Sequence, residues 1–181
     1  MDEKQKVRVS KRLSRHLRHE PESIGLVLDA AGWVGVTELL TALSAHGLRV
    51  SRAELAEVVA SSDKQRFAFD ASGERIRANQ GHSVEVSLGL TPLAPPPALY
   101  HGTATRFLAA IYREGLRPMR RHAVHLSAAV STALAVGARH GRPVVLRVAA
   151  GDMAAAGFSF ERSDNGVWLT AAVPAEYLTE N

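Results

Sequence analysis

The chain has 181 residues, 46% of them hydrophobic, a formal charge of +4 at pH 7 and no cysteine. That length can bury a substantial core and suits two small domains better than one, and the lack of cysteine excludes disulfides, thiolate-held zinc or iron–sulfur clusters and a cysteine nucleophile. The N-terminus MDEKQKVRVSKRLSRHLRH has no apolar core of signal-peptide length and no stretch approaches the roughly 18 apolar residues of a membrane span, so a soluble, cytoplasmic protein is expected.

In chain order, Val9, Leu13 and Leu17 recur every four residues up to Pro21 and predict an amphipathic helix over 7–20. Its polar face carries Arg8, Arg12, Arg15 and His19. Seven of the first eighteen residues are Lys or Arg, a basic end suited to an acidic partner. Ala31-Gly32-Trp33-Val34-Gly35 reads as a turn into a short strand. Thr37 is expected to cap a helix over 38–45 with Gly47 as its stop, and Ser51 with Glu54 spells a capping box for a helix through Val59. Alternation in Arg66-Phe67-Ala68-Phe69 and Arg75-Ile76-Arg77-Ala78, with turn residues between, predicts a hairpin. Three helices followed by a hairpin is the order of a winged helix, assigned here to residues 1–88.

Residues 89–97 are rich in proline, which stiffens the chain and removes donors, and read as a linker. The remaining residues, 98–181, change style. Short apolar runs at 98–100, 123–126, 144–148 and 167–170 predict strands, with helices over 104–114 and 128–139, so an α+β lobe with a small mixed sheet is expected.

Arginine outnumbers lysine 18 to 4. This suits phosphate recognition, because guanidinium is a planar fork that stays charged, although the Ala- and Val-rich composition gives codon bias equal standing as the cause. The basic residues gather in four oddly worded stretches: Leu17-Arg18-His19, Lys64-Gln65-Arg66-Phe67, Tyr100-His101-Gly102-Thr103, and Met119-Arg120-Arg121 running into His125-Leu126-Ser127. No Gly-x-Gly-x-x-Gly or Gly-x-x-x-x-Gly-Lys-Ser/Thr occurs, which argues against Rossmann and P-loop sites. His101-Gly102-Thr103, read as ending a strand, and Gln80-Gly81-His82-Ser83, at the hairpin's exit, each combine a glycine that admits close approach with side-chain donors. Taken singly, each of these stretches is an ordinary turn or a solvated helix face.

Together and in this order, however, the sequence resembles the RNA 2′-phosphotransferase family, relatives of the tRNA-splicing 2′-phosphotransferase. The matching pieces run from Leu13 to Leu178. They are Leu17-Arg18-His19 with Glu20-Pro21, Gly32-Trp33-Val34, Asp63-Lys64-Gln65-Arg66-Phe67, Arg77-Ala78-Asn79-Gln80-Gly81-His82-Ser83, His101-Gly102-Thr103, the stretch from Gly115 to Arg121, Val124-His125-Leu126-Ser127, and Asn165-Gly166-Val167-Trp168-Leu169. One departure is visible: Ala123, preceded by His122, stands where the family often has histidine.

The resemblance implies a winged-helix lobe joined to an ADP-ribosyltransferase-like lobe. It implies removal of an internal RNA 2′-phosphate with NAD+ as co-substrate and no metal. The 2′-phosphate would displace nicotinamide to give 2′-phospho-ADP-ribosylated RNA, and the ribose 2″-hydroxyl would then attack phosphorus, releasing 2′-hydroxyl RNA and ADP-ribose 1″,2″-cyclic phosphate. The essential set falls on Arg18, His19, Arg66 and Arg121, with Arg15, Lys64, His82 and Ser83 as further RNA or phosphate contacts. The NAD+ set falls on His101, Gly102, Thr103, His125, Ser127, Asn165 and Val167. A monomer acting on tRNA-like RNA, away from membranes, is expected. Two rivals stay open: a same-fold enzyme that ADP-ribosylates terminal RNA or DNA phosphates, and a winged-helix nucleic-acid binder with a nucleotide-sensing lobe.

Overall fold

The computed structural model describes residues 1–62 and 64–181 and divides into two compact units, Met1–Gly89 and Leu90–Asn181. Asp63, one residue of the motif ending at Phe67, lies outside the described residues. Both units are mixed α+β with small antiparallel sheets. Among the described residues no helix is long and apolar enough to cross a membrane.

In the first unit, helix α1 spans Glu3–Arg18. It starts four residues before the expected position because Asp2 and Gln5 form a reciprocal capping box: Asp2 Oδ1 accepts from the Gln5 amide at 2.7 Å and Gln5 Oε1 from the Asp2 amide at 3.1 Å. It stops at Arg18, and Pro21 opens a single 3-10 turn, Pro21–Ile24, that periodicity did not foresee. Strand β1 (Val34–Gly35) runs directly into α2 (Val36–Ala45), so Gly35 is the N-cap and Thr37 lies inside the helix. The expected Thr37 cap is not needed there, since the first amide, Val36 N, donates to Glu74 O at 2.8 Å. Ser51 and Glu54 cap α3 (Arg52–Ala60) as the sequence predicts. Strands β2 (Phe67–Phe69) and β3 (Arg75–Ala78) form the hairpin, and the sheet order is β1-β3-β2 with Val34 and Phe69 both opposite Ile76. Leu13, Leu17, Leu39, Leu55 and Ile76 are fully buried. Each such aliphatic side chain contributes about 1.5–3 kcal/mol.

His16 shares that interior, only 2% exposed. Ser23 Oγ donates to Glu20 O at 2.6 Å, so the His16 Nδ1–H is the donor towards Ser23 Oγ at 3.1 Å, and its Nε2 has no hydrogen-bond partner. Burial holds its pKa below the ordinary histidine value, with the neighbouring Arg12 and Arg15 charges acting in the same direction.

The second unit begins with the proline-rich stretch, which is pinned along it. Leu93 N donates to Phe160 O at 2.8 Å, Pro92 bridges to Glu161, and Gly151 N donates to Pro97 O at 3.1 Å. One sheet has the order β4-β6-β9 (Leu99–Ala104, Pro143–Val148, Leu178–Glu180), the other β5-β8-β7 (Val124–Leu126, Trp168–Thr170, Glu161–Arg162). A mutual pair of backbone hydrogen bonds between Tyr100 and Ser127, both 2.8 Å, ties β4 to the end of β5. Helices α4 (Leu108–Glu114), α5 (Val130–Gly137) and α6 (Ala150–Ala155) complete the unit. His101-Gly102-Thr103 was expected just past a strand but lies inside β4, because pairing with β6 continues to Ala104 opposite Pro143. Helix α5 packs on β4 backbone to backbone. A Cβ on Gly102 would collide with the Ala133 carbonyl, and one on Gly137 would sit 2.5 Å from Thr103 O.

Two outcomes follow from this packing. Gly102→Ala should cost at least about 2 kcal/mol, since the obstacle is backbone that cannot rotate away, and calorimetry should show a lowered melting transition. For His16 the unfolded state takes up a proton below its ordinary pKa of about 6.5 while the folded state resists it, so stability is full above that pH and declines as pH falls through it. His16→Leu should therefore lose less stability than the parent between pH 7 and pH 5 in urea titrations. An identical pH dependence would show that His16 is not the acid-sensitive group.

Candidate functional site

The first unit gathers its candidate residues from three segments that are distant in sequence. The last turn of α1 presents Arg18 and, as C-cap, His19; the loop before β2 presents Lys64 and Arg66; the turn after β3 supplies residues 79–83. Arg18 is half-buried, its guanidinium 5.8 Å over the Phe67 ring centroid, and Nη2 donates to the Arg66 carbonyl at 3.4 Å. The same carbonyl accepts from the Asn79 amide at 3.0 Å. Arg66 is held by long contacts to Ser62 Oγ, 3.4 Å from its amide and 3.5 Å from Nη1. His19 is exposed, with Nδ1 2.9 Å from Ser83 Oγ.

Other expected contacts fall differently. Arg15 is exposed and paired with Glu20 at 2.6 Å, an exposed pair worth less than about 1 kcal/mol. Lys64 is exposed. His82 is only 3% exposed, and a Cβ on Gly32 would lie 3.3 Å from its Nε2.

Two residues escape a reading by residue type. Asn79 is buried, and its Nδ2 donates to the Gln65 carbonyl at 2.5 Å. Ser62 is the contact of Arg66. Nothing in an Asn after a strand, or in a Ser-Ser pair after a helix, distinguishes them from ordinary turn residues. Gln65 itself has φ +39°, and Met119 has φ +55°; among the described residues these are the non-glycine positions with positive φ, standing one and two residues ahead of Arg66 and Arg121.

In the second unit, the Tyr100–Ser127 bridge brings His101, His125 and Ser127 to the place where β4 and β5 meet. His101 Nδ1 faces the His125 carbonyl at 3.1 Å and must donate to it, leaving Nε2 as the acceptor. Burial lowers its pKa, partly opposed by that carbonyl, so the ring stays neutral at physiological pH. Arg121 Nη1 lies 2.9 Å from His125 Nδ1, and because guanidinium can only donate, His125 carries its proton on Nε2. Thr103, two residues along β4 from His101 and so on the same face of the strand, is buried. Since Leu126 pairs with Trp168, Val167 falls in register towards Ser127, and Asn165 belongs to the β7–β8 turn, its Oδ1 accepting from Ser163 Oγ at 2.6 Å. His122 is exposed. Among the described residues no group of three or more His, Asp or Glu side chains is arranged to hold a metal ion.

The family model described as RNA 2′-phosphotransferase, Tpt1/KptA family, matches residues 4–172. A protein named "Probable RNA 2′-phosphotransferase" from Herpetosiphon aurantiacus is 57% identical over 98% of each chain. Proteins of the same name from Agrobacterium fabrum and Streptomyces griseus are 62% and 57% identical, covering 94% and 98% of this chain and 91% and 98% of their own.

Proposed function

The chain belongs to the RNA 2′-phosphotransferase, Tpt1/KptA family, and from that premise we propose that it removes an internal 2′-phosphate from RNA with NAD+ as co-substrate. The first unit is read as a winged helix, from its α1-β1-α2-α3-β2-β3 order and three-stranded sheet, and the second as an ADP-ribosyltransferase-like lobe. The observation that carries the proposal is the convergence on the Arg66 carbonyl, which draws Arg18, neighbour of His19, to the backbone of Arg66 across 48 residues of sequence. Arg18, His19 and Arg66 thus come from distant segments to one neighbourhood of the unit, and guanidinium and imidazole donors suit a phosphate dianion.

The side chains around β4 and β5 fit a nucleotide ribose: a neutral His101 with an accepting Nε2 and the hydroxyls of Thr103 and Ser127, while Gly102, whose open side is filled by α5, joins the set by the resemblance. Asn165 and Val167 are assigned to the same co-substrate. NAD+ supplies a leaving group, nicotinamide, and a ribose 2″-hydroxyl. The protein's own part is alignment and neutralisation. An oxygen of the RNA 2′-phosphate bonds to the ribose anomeric carbon as nicotinamide leaves with the C–N electron pair. The 2″-oxygen then loses its proton and bonds to phosphorus, and the RNA 2′-oxygen departs with the P–O pair and takes up a proton, a role assigned to His19. Arg18 and Arg66 offset the phosphate charge, and the resemblance assigns phosphate neutralisation to Arg121 of the second unit as well. Arg8, Arg12 and Arg15 on α1, with Lys64, are assigned to the flanking RNA backbone. The acting species is taken to be a cytoplasmic monomer.

The test is incubation of a 2′-phosphorylated oligoribonucleotide with and without NAD+, beside a terminally phosphorylated one. Release of 2′-hydroxyl RNA and the cyclic phosphate only with NAD+ is expected; ADP-ribose left on the terminal phosphate alone would replace this reading with terminal-phosphate ADP-ribosylation. Loss of one cationic partner weakens phosphate binding in the first step but leaves the attacking oxygen more reactive, whereas in the second step the added charge at phosphorus needs every donor. Arg66→Ala and Arg121→Ala should thus slow the second step more, by about 10²–10³, and radiolabelled 2′-phospho-ADP-ribosylated RNA should accumulate as a slower gel band. Slow substrate loss without that band would assign both arginines to binding or to the first step.

A further inference from the structure

The turn after β3 touches each of the segments that carry the first unit's phosphate residues. At its start, Asn79 donates from Nδ2 to Gln65 O and from its amide to Arg66 O. At its end, the Ser83 amide donates to Arg18 O at 2.8 Å and the Val84 amide to the same oxygen at 3.3 Å. Gly81, at φ +88°, lets the chain reverse within this short span. Ser83 is therefore anchored through its backbone to the residue preceding His19, and its Oγ stands 2.9 Å from His19 Nδ1.

We propose that Ser83 is a positioning residue: its hydroxyl fixes the orientation of the His19 ring and keeps a proton on Nε2. A serine hydroxyl suits this task because it has one donor and two acceptor lone pairs. Towards a neutral ring it donates to Nδ1, which sets the Nε2–H tautomer. Towards an imidazolium it rotates and accepts from Nδ1–H. In both states the ring stays where it is and Nε2 carries hydrogen, as required of a group that first binds a phosphate oxygen and later gives up a proton. A direct Ser83 contact to phosphate, the role suggested by its motif, would take the hydroxyl away from Nδ1. The proposal rests on the reading of His19 as the phosphate and proton donor.

The experiment compares the full-length protein with Ser83→Ala and Ser83→Thr by single-turnover dephosphorylation with NAD+, by affinity for the 2′-phosphorylated oligoribonucleotide, and by the ring-nitrogen NMR signals of ¹⁵N-labelled His19. Ser83→Ala should slow turnover by about 10–100-fold, the range for residues that orient an acting side chain. RNA affinity should hold, the His19 Nδ1 signal should shift as its partner is lost, and Ser83→Thr should restore both rate and signal. Weakened RNA affinity with His19 signals unmoved would overturn the proposal and make Ser83 a phosphate ligand. Unchanged rate and unchanged signals would overturn it as well. If the parent protein showed no NAD+-dependent dephosphorylation, the functional reading would fall, while the NMR comparison would still decide whether Ser83 holds the His19 ring.

Discussion

The candidate site of the first unit is organised around one backbone oxygen. Arg66 O accepts from Arg18 Nη2 and from the Asn79 amide, so an α-helix terminus, a loop and the exit of a β-hairpin meet at a single acceptor. Holding a guanidinium half-buried costs part of its hydration. The carbonyl dipole and the Phe67 ring face, 5.8 Å from the Arg18 guanidinium carbon, offset part of that cost. In this way a local packing solution fixes where the Arg18 guanidinium stands.

The second unit packs side chains of both its sheets into one core, among them Leu99, Leu146, Leu126 and Trp168, and sets a helix directly on one of the sheets. Its means are small residues. Gly102 and Gly137 let α5 lie against the backbone of β4, and the Tyr100–Ser127 pair then brings the other sheet alongside β4. Because the strand is held from behind through backbone atoms, His101 can sit half-buried on a rigid element with its tautomer set by the His125 carbonyl. Sites mounted on strands rather than loops gain their precision in this way.

Much of the first unit was legible because its signals are local. The four-residue spacing in α1, the Ser51–Glu54 capping box and the alternation around Phe67 and Ile76 each act within a few residues. Some misses arose where a distant partner decided. Thr37 lost the cap because the Glu74 carbonyl satisfies Val36; the earlier start of α1 has a local cause, the Asp2–Gln5 capping box, which apolar spacing does not register. In the second unit α6 and β9 carry almost no periodic signal: β9 is Leu-Thr-Glu, a strand only by its pairing with β6. The candidate site was legible as a list of motifs but not as a geometry. Which residue of a motif faces outward and which is buried, as with Ser83 and His82, depends on what packs behind it.

The two left-handed residues, Gln65 and Met119, also bear on how this protein would respond to stabilisation. A side chain in that backbone region costs roughly 1–2 kcal/mol relative to a relaxed conformation, and here both charges on the ledger fall just ahead of Arg66 and Arg121. Glycine at either position would relieve the strain and also loosen the segment that aims the arginine. Selection for heat tolerance alone would therefore drift first towards the two segments that fix where these arginines stand, and a thermostable variant of this chain should be screened for turnover before melting temperature.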